Sequence, residues 1–257
     1  MVLKRIIPCV LYSDGGLVKT KKFRSPNYIG DPINSLRLFN DMGVDELLFI
    51  DIDASKNKSE PNFTLVQEIA SECFMPLSYG GGVKDVHTVE KLLKMGVEKV
   101  AINSAFLSNL NLCKKISQEF GSSTLIGSID VRKNLIGRYR VYNHIKKKIL
   151  SMDPIDYAKQ LEAYGVGEIF INNVDLDGTF NGYDISLLQE IENKLSVPII
   201  PCGGAGSLTD LSEVFNKTKI KAVAAGSIFV YTGKFNAVLI NFPTEDQKEQ
   251  IMNSYEV

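Results

Sequence analysis

An internal repeat constrains the fold of this chain more than any other feature. Ile50-Asp51-Ile52-Asp53-Ala54-Ser55 returns as Val174-Asp175-Leu176-Asp177-Gly178-Thr179, so that Asp51 to Asp175 is 124 positions. Gly80-Gly81-Gly82 returns as Gly203-Gly204-Ala205-Gly206, and Gly80 to Gly203 is 123. Ile102-Asn103-Ser104 has its counterpart in Gly226-Ser227 behind the apolar run Ala222 to Ala225, with Ser104 to Ser227 again 123. Glycine-rich turns also recur by chance. Three different motifs sharing a spacing close to half the chain argue instead for two similar halves that carry two similar small-molecule sites.

Short apolar runs of buried-strand length fall at about 5–11, 46–52, 75–79, 98–103, 123–130, 167–173, 197–202 and 221–226. Helical spacing fills the intervals from Pro32 to Met42, Asn62 to Cys73, Val86 to Met95, Leu110 to Phe120, Pro154 to Tyr164, Asp184 to Lys194 and Leu208 to Asn216. Asp31-Pro32 leading to Gly43, and Asp153-Pro154 leading to Gly165, supply a cap, a first-turn proline and a terminating glycine. Eight strand–helix units predict one α/β domain over residues 1–257, a (β/α)8 TIM barrel with a twofold half-barrel repeat. The half-barrels would span about 1–120 and 121–243, with a C-terminal tail at 244–257. A doubly wound open sheet is the alternative, and it leaves the repeat unexplained.

Composition narrows the partners. With 257 residues, 44% apolar and 23% charged, the chain can bury a full core. A net charge of −1 and a pI near 6.2 offer no footprint for nucleic acid or an anionic membrane. No apolar stretch approaches the ~20 residues a membrane span requires. Met1 to Arg5 followed by Ile6 to Tyr12 reads as a first strand, because a signal peptide would carry a longer apolar run and a small-residue cleavage site. Cys9, Cys73, Cys113 and Cys202 form no CxxC, and only His87 and His144 could complete a cluster. Buried free thiols in a reducing cytoplasm are therefore expected, with no metal and no cofactor.

Two stretches break the regular pattern. Lys19 to Gly30, with Lys19, Lys21, Lys22 and Arg24 beside Ser25-Pro26-Asn27, reads as a long loop that either closes over an anionic substrate or stays a solvated surface loop. Arg132 to Met152 includes Gly137 to Tyr142, read as a small hairpin, and the basic run Lys146-Lys147-Lys148, read as a solvated tip.

In a barrel the active site sits at the C-terminal ends of the strands. Asp51, Gly80 to Gly82, Asn103, Asp130, Asp177, Gly203-Gly204 and Gly226-Ser227 all fall there. A glycine-rich turn lets backbone N–H groups approach phosphate oxygens, and a following helix N-terminus adds its dipole. Gly81-Gly82 with Asn103-Ser104, and Gly203-Gly204 with Gly226-Ser227, are thus two candidate phosphate cradles, implying a ligand with a phosphate at each end. Tight packing is the other use of glycine at such turns. Asp51, Asp130 and Asp177 are placed to shuttle protons or grip hydroxyls between the cradles. Capping of the loops is the alternative for Asp51 and Asp177.

These residues resemble a known family. Lys4-Arg5-Ile6-Ile7-Pro8-Cys9, Asp14-Gly15-Gly16-Leu17-Val18-Lys19, Gly43-Val44-Asp45-Glu46-Leu47, Gly80-Gly81-Gly82-Val83, Asp175-Leu176-Asp177-Gly178-Thr179 with Gly182-Tyr183-Asp184, and Gly203-Gly204-Ala205-Gly206 look like the cyclase subunit of imidazole glycerol phosphate synthase. The resemblance covers residues 1 to about 240. It implies a lyase of histidine biosynthesis that pairs with a separate glutaminase as a heterodimer. Ammonia from that partner passes through the barrel and is used to cleave and cyclise a bis-phosphorylated ribulosyl-formimino-carboxamide nucleotide, giving imidazole glycerol phosphate and an aminoimidazole carboxamide ribotide.

The resemblance also assigns residues. The family's ammonia gate, one arginine, two glutamates and a lysine at the barrel base, is matched by Arg5, Glu46, Lys99 and Glu168. Of its two catalytic aspartates, the strand 5 residue is matched by Asp130, while the strand 1 position is Leu11, which cannot transfer a proton. The strand 7 serine is matched by Cys202 and the strand 6 threonine by Asn172. Four readings therefore stand: the cyclase; a paralogue that aminates another acceptor, as for acetamidino groups on surface-polysaccharide sugars; a non-catalytic barrel that docks and activates a glutaminase; and a sugar-phosphate aminoaldose–ketose isomerase. Leu11 counts against the isomerase too, since that sister fold also needs a strand 1 aspartate.

Overall fold

The computed structural model describes residues 4–253, so the expectations for residues 1–3 and for 254–257 of the tail lie outside the described residues. The strands of the main sheet are β1 (Arg5–Ser13), β2 (Gly16–Lys21), β3 (Arg24–Gly30), β4 (Leu47–Asp51), β5 (Leu77–Gly80), β6 (Lys99–Ile102), β7 (Leu125–Lys133), β8 (Tyr139–Asn143), β9 (Lys148–Ile149), β10 (Glu168–Asn173), β11 (Ile199–Cys202) and β12 (Ala222–Ala225). Parallel ladders join eight of them in the order β12-β1-β4-β5-β6-β7-β10-β11. Every run expected as a strand is one of these eight.

The near-continuous apolar character of these strands follows from burial on both faces. Because side chains alternate along a strand, one set points outward to the helices and the other inward. Ile6, Val10, Leu47, Phe49, Val100 and Ile102 belong to the outer core. Ile7, Cys9, Leu48, Ala101, Ile126, Phe170, Ile200, Cys202, Ala222 and Ala224 form a separate inner core. This inner cluster draws on β1, β4, β6, β7, β10, β11 and β12, so the sheet is strongly curled. In a flat sheet β1 and β10 would lie five strands apart, roughly 24 Å. Here Arg5 of β1 reaches Glu168 of β10 with 2.5 Å between Nη2 and Oε1.

All seven expected helices are present, from Pro32–Asp41 to Leu208–Lys217. The Asp31 carboxylate accepts the N–H of Asn34 at 2.8 Å, and that of Asp153 accepts the N–H of Ile155 at 2.9 Å. Gly43 and Gly165 then leave their helices at φ +67° and +97°, conformations that favour glycine. Among the described residues, no helix is long and apolar enough to cross a membrane.

Three expectations need correction. Lys19 to Gly30 is not an irregular loop: its residues belong to β2 and β3, an antiparallel hairpin. Lys22 and Phe23 form its two-residue turn, both at positive φ, the geometry that matches strand twist in a tight hairpin. Gly137 lies in a turn, and the hairpin expected from it begins later, with β8 paired back onto β7 through Val131 and Val141. The tail contributes a helix, Glu245–Asn253, whose Lys248 Nζ donates to the Gly43 carbonyl at 2.9 Å. Of the four free thiols Cys73 is only half-buried; burial holds it at a pKa of about 11. Lys146 to Lys148 are exposed.

Candidate active site

At the N-terminal ends of the strands, four charges close a ring. Arg5 opens β1, Lys99 opens β6, Glu168 opens β10, and Glu46 immediately precedes β4. Arg5 pairs with both Glu46 and Glu168. Lys99 Nζ reaches both as well, at 3.3 Å from Glu46 and 3.0 Å from Glu168. Ser78 Oγ donates to Glu46 Oε1 at 3.0 Å. Two cations and two anions balance, so every charge of the ring has an opposite partner. Burial opposes the charge on Arg5, but the two glutamates outweigh it and raise its pKa. The four residues assigned to the ammonia gate are therefore in mutual contact.

At the opposite ends of the strands, Asp130 in β7 is 4% exposed. Its Oδ2 accepts from Asn103 Nδ2 at 2.9 Å and faces His144 Nδ1 at the same distance. β8 carries His144 there by folding antiparallel onto β7 past the ends of β6. Burial disfavours the imidazolium, yet the hydrogen bond and charge of Asp130 reverse this and raise the His144 pKa. Asn103, expected in a phosphate cradle, thus spends its amide on Asp130. His144 was not singled out by sequence as a site residue.

Lys19 and Asp177 meet across the mouth, 2.7 Å apart and nearly buried. Thr20 Oγ1 adds a hydrogen bond to Asp177 at 3.1 Å. Burial lowers the affinity of Lys19 for its proton, and Asp177 more than restores it. Asp51 serves its own loop: Oδ1 accepts from the N–H groups of Asp53 and Ala54, both at 2.9 Å. Burial raises its pKa against those two bonds. Capping is the contact the structure gives Asp51, whereas Asp177 is a partner for Lys19.

The glycine turns are required by backbone crowding. A Cβ on Gly81 would stand 2.3 Å from the Asp51 carbonyl oxygen, and one on Gly204 would stand 2.0 Å from that of Gly182. Gly82 and Gly203 are equally hemmed in, with backbone oxygens at 2.9 and 2.6 Å. The Gly82 N–H already donates to Ser55 Oγ at 3.1 Å. Ser104 and Ser227 open the short helices Ser104–Ser108 and Ser227–Val230, while Gly226 is packed against the Cys9 carbonyl and Lys19. Close backbone approach is therefore one reason these positions are glycine.

Leu11 lies on β1 in register with Ile50 and Val18, and packs on the inner core. Cys202 and Cys9 lie close together in that core; their mutual hydrogen bond is the main factor that pushes the Cys202 thiol well above its usual pKa. Asn172, 9% exposed on β10 in register with Asp130 and Cys202, keeps its carbonyl oxygen Oδ1 buried with no hydrogen-bond partner among the described residues. An unpaired buried acceptor is costly.

A curled parallel sheet with a charged ring at one end, and with Asp130 and the Lys19–Asp177 pair at the other, defines a mixed α/β protein consistent with a TIM-barrel family. The family model described as "Histidine biosynthesis protein" matches residues 5–236. The chain belongs to this family and is a HisF-like member of it. It is 50% identical over 243 residues to "Putative imidazole glycerol phosphate synthase subunit hisF2" of Pseudomonas aeruginosa, covering 95% of this chain and 97% of that one. It is 40% identical over 253 residues to the similarly named hisF3 protein of Vibrio vulnificus, with 98% and 97% covered. A HisF protein of Leptospira interrogans is 41% identical over 252 residues, with 98% and 99% covered.

Proposed function

We propose that the chain is the ammonia-using synthase subunit of a two-protein complex, a closed (β/α)8 barrel with a twofold half-barrel repeat. Support for closure comes from the inner core shared by seven strands and from Tyr183, whose hydroxyl donates to the Ala224 carbonyl of β12 at 2.8 Å. A separate glutaminase docks on the base, and ammonia enters through the ring of Arg5, Glu46, Lys99 and Glu168. The observation that carries this reading is the ring itself. Its four members come from four separate strand starts, and their pairing makes a plug that a partner can rearrange without leaving an unpaired buried charge.

Ammonia then meets substrate at the mouth, with Asp130 as the carboxylate of the proton-transfer machinery and the glycine turns at Gly81-Gly82 and Gly203-Gly204, with Ser104, Gly226 and Ser227, holding terminal phosphates. The named reaction is conversion of the ribulosyl-formimino-carboxamide nucleotide to imidazole glycerol phosphate and the aminoimidazole ribotide, in the cytoplasm. A second reading, amination of another acceptor such as a surface-polysaccharide sugar, is favoured by one observation: Leu11, Asn172 and Cys202 change the mouth at three positions together. Two measurements test what these readings share. With the cognate glutaminase, Arg5→Ala and Lys99→Ala should reduce glutamine-dependent activity while leaving ammonium-dependent activity in place; unchanged glutamine-dependent activity would remove the channel. Phosphate soaked at high concentration should occupy both glycine turns, and occupancy of neither would remove the cradles.

A further inference from the structure

With leucine at position 11, Asp130 is the one aspartate left of the pair that the family resemblance assigns to proton transfer, whereas proton transfer on both an incoming nitrogen and a departing heteroatom needs a group able to give and take. The residue in contact with that carboxylate is His144. Its Nδ1 is 2.9 Å from Asp130 Oδ2, which as a carboxylate can only accept, so Nδ1 carries the proton. Nε2 lies on the far side of the ring and has no hydrogen-bond partner among the described residues, while the side chain is 29% exposed. Asn103 Nδ2 holds the same Oδ2 at 2.9 Å, fixing the carboxylate from a second direction. A carboxylate that orients an imidazole and leaves its other nitrogen open is the arrangement of a general acid–base pair.

We propose that His144 and Asp130 form the acid–base pair of this mouth, with Nε2 of His144 moving the protons and Asp130 positioning the ring. The proposal rests on the ammonia-using reading and specifies its chemistry. Ammonia's lone pair forms the C–N bond to an electrophilic sp² carbon, and the π pair of that carbon moves onto its doubly bonded oxygen or nitrogen. Nε2 takes one proton from the resulting ammonium nitrogen; as imidazolium it returns that proton to the heteroatom holding the displaced pair. No electrons leave the system and the ring ends as it began. Since His144 stands beside Asp130 and not across the mouth at Leu11, the relay serves one carbon from one side, as amination requires. Asp130 is the charged group acting on the ring. Asn103 is neutral, and the neighbouring Lys146, Lys147 and Lys148 are exposed.

The chain has two histidines, His87 and His144, so both imidazoles can be followed by nitrogen NMR, with His144→Gln assigning the signals. His144 should titrate above the ordinary histidine value of about 6.5 and fall back in Asp130→Asn. A titration unmoved by Asp130→Asn would overturn the pair. In parallel, ammonium-dependent turnover of the ribulosyl-formimino-carboxamide nucleotide is measured against pH. Wild type should show a limb that tracks the His144 titration, and His144→Gln should lose that limb and about 10²–10⁴-fold in kcat with KM little changed. Unchanged kcat in His144→Gln would overturn the proposal, as would an inactive wild type that becomes active in Leu11→Asp. If neither wild type nor Leu11→Asp turns the nucleotide over, the substrate reading has failed, and the titration alone decides the pair.

Discussion

Two hairpins rise from the sheet, one after β1 and one after β7, and they do different things. The first turns at Lys22-Phe23 and carries Lys19 across the mouth onto Asp177, a nearly buried ion pair reinforced by Thr20. The second turns at Asn134 to Arg138 and folds back over its own strand, bringing His144 onto Asp130 with one face of the ring still open. The first hairpin uses its charge to fasten a covering structure. The second leaves a titratable nitrogen accessible. The strand under the first hairpin has leucine at position 11, while the strand under the second has Asp130. On the proposed reading, proton chemistry belongs to the Asp130 side and the Lys19–Asp177 side is architecture.

Breaking the two sides should therefore have unlike consequences. The largest effect is expected on rate: Asp130→Asn removes the carboxylate that positions His144 and should lower ammonium-dependent turnover by about 10²–10⁴-fold. A loss under tenfold would mean the second hairpin is not the chemical side. Next is Lys19→Met, which leaves Asp177 charged, buried and unpaired. Urea unfolding should show a loss of about 3–5 kcal/mol, and a change below about 1 kcal/mol would mean that the first hairpin is not fastened by this pair.

Gly204→Ala should come third. Its φ of +119° strains an L-residue and its Cβ would collide with the Gly182 carbonyl, so a loss of at least about 1–3 kcal/mol is expected from unfolding curves. The smallest effect is the contribution of the His144–Asp130 contact to stability. The folded pKa of His144 is raised, so this contribution is fully present below the unfolded value of about 6.5 and fades as pH rises through the folded value. With the ring partly exposed it should stay below about 1 kcal/mol, read as the stability difference between wild type and His144→Gln at pH 5.5 and pH 9. A difference that grew with pH would reverse the sign and contradict the contact.

How much of this was legible in the sequence depended on where the partners lie. The strands were legible because burial on both faces makes each one an uninterrupted apolar run, as in Ala222-Val223-Ala224-Ala225. The helices were legible from local caps such as Asp31-Pro32. The base ring was legible only through the family resemblance, because Arg5, Glu46, Lys99 and Glu168 are far apart along the chain and individually ordinary. The Lys19 to Gly30 hairpin was hidden by its polarity: Lys19 is 8% exposed only because Asp177, distant in sequence, neutralises it. His144 was hidden for a similar reason. A lone histidine beside three lysines reads as surface, and a register centred on the Asn134 to Arg138 turn, pairing Val131 with Val141, is what returns it toward Asp130. Asp51 shows the reverse: its position at a strand end suggested chemistry, and the structure gives it two backbone N–H groups to cap.

The central claim, that this mouth joins ammonia to a bis-phosphorylated substrate, is tested most directly with the purified chain, an ammonium salt and the ribulosyl-formimino-carboxamide nucleotide, with both products followed by chromatography. Imidazole glycerol phosphate and the aminoimidazole carboxamide ribotide should form together in equal amounts, at a rate that rises with free ammonia and falls about 10²–10⁴-fold in Asp130→Asn. Formation of neither product at saturating ammonium and nucleotide would contradict the account.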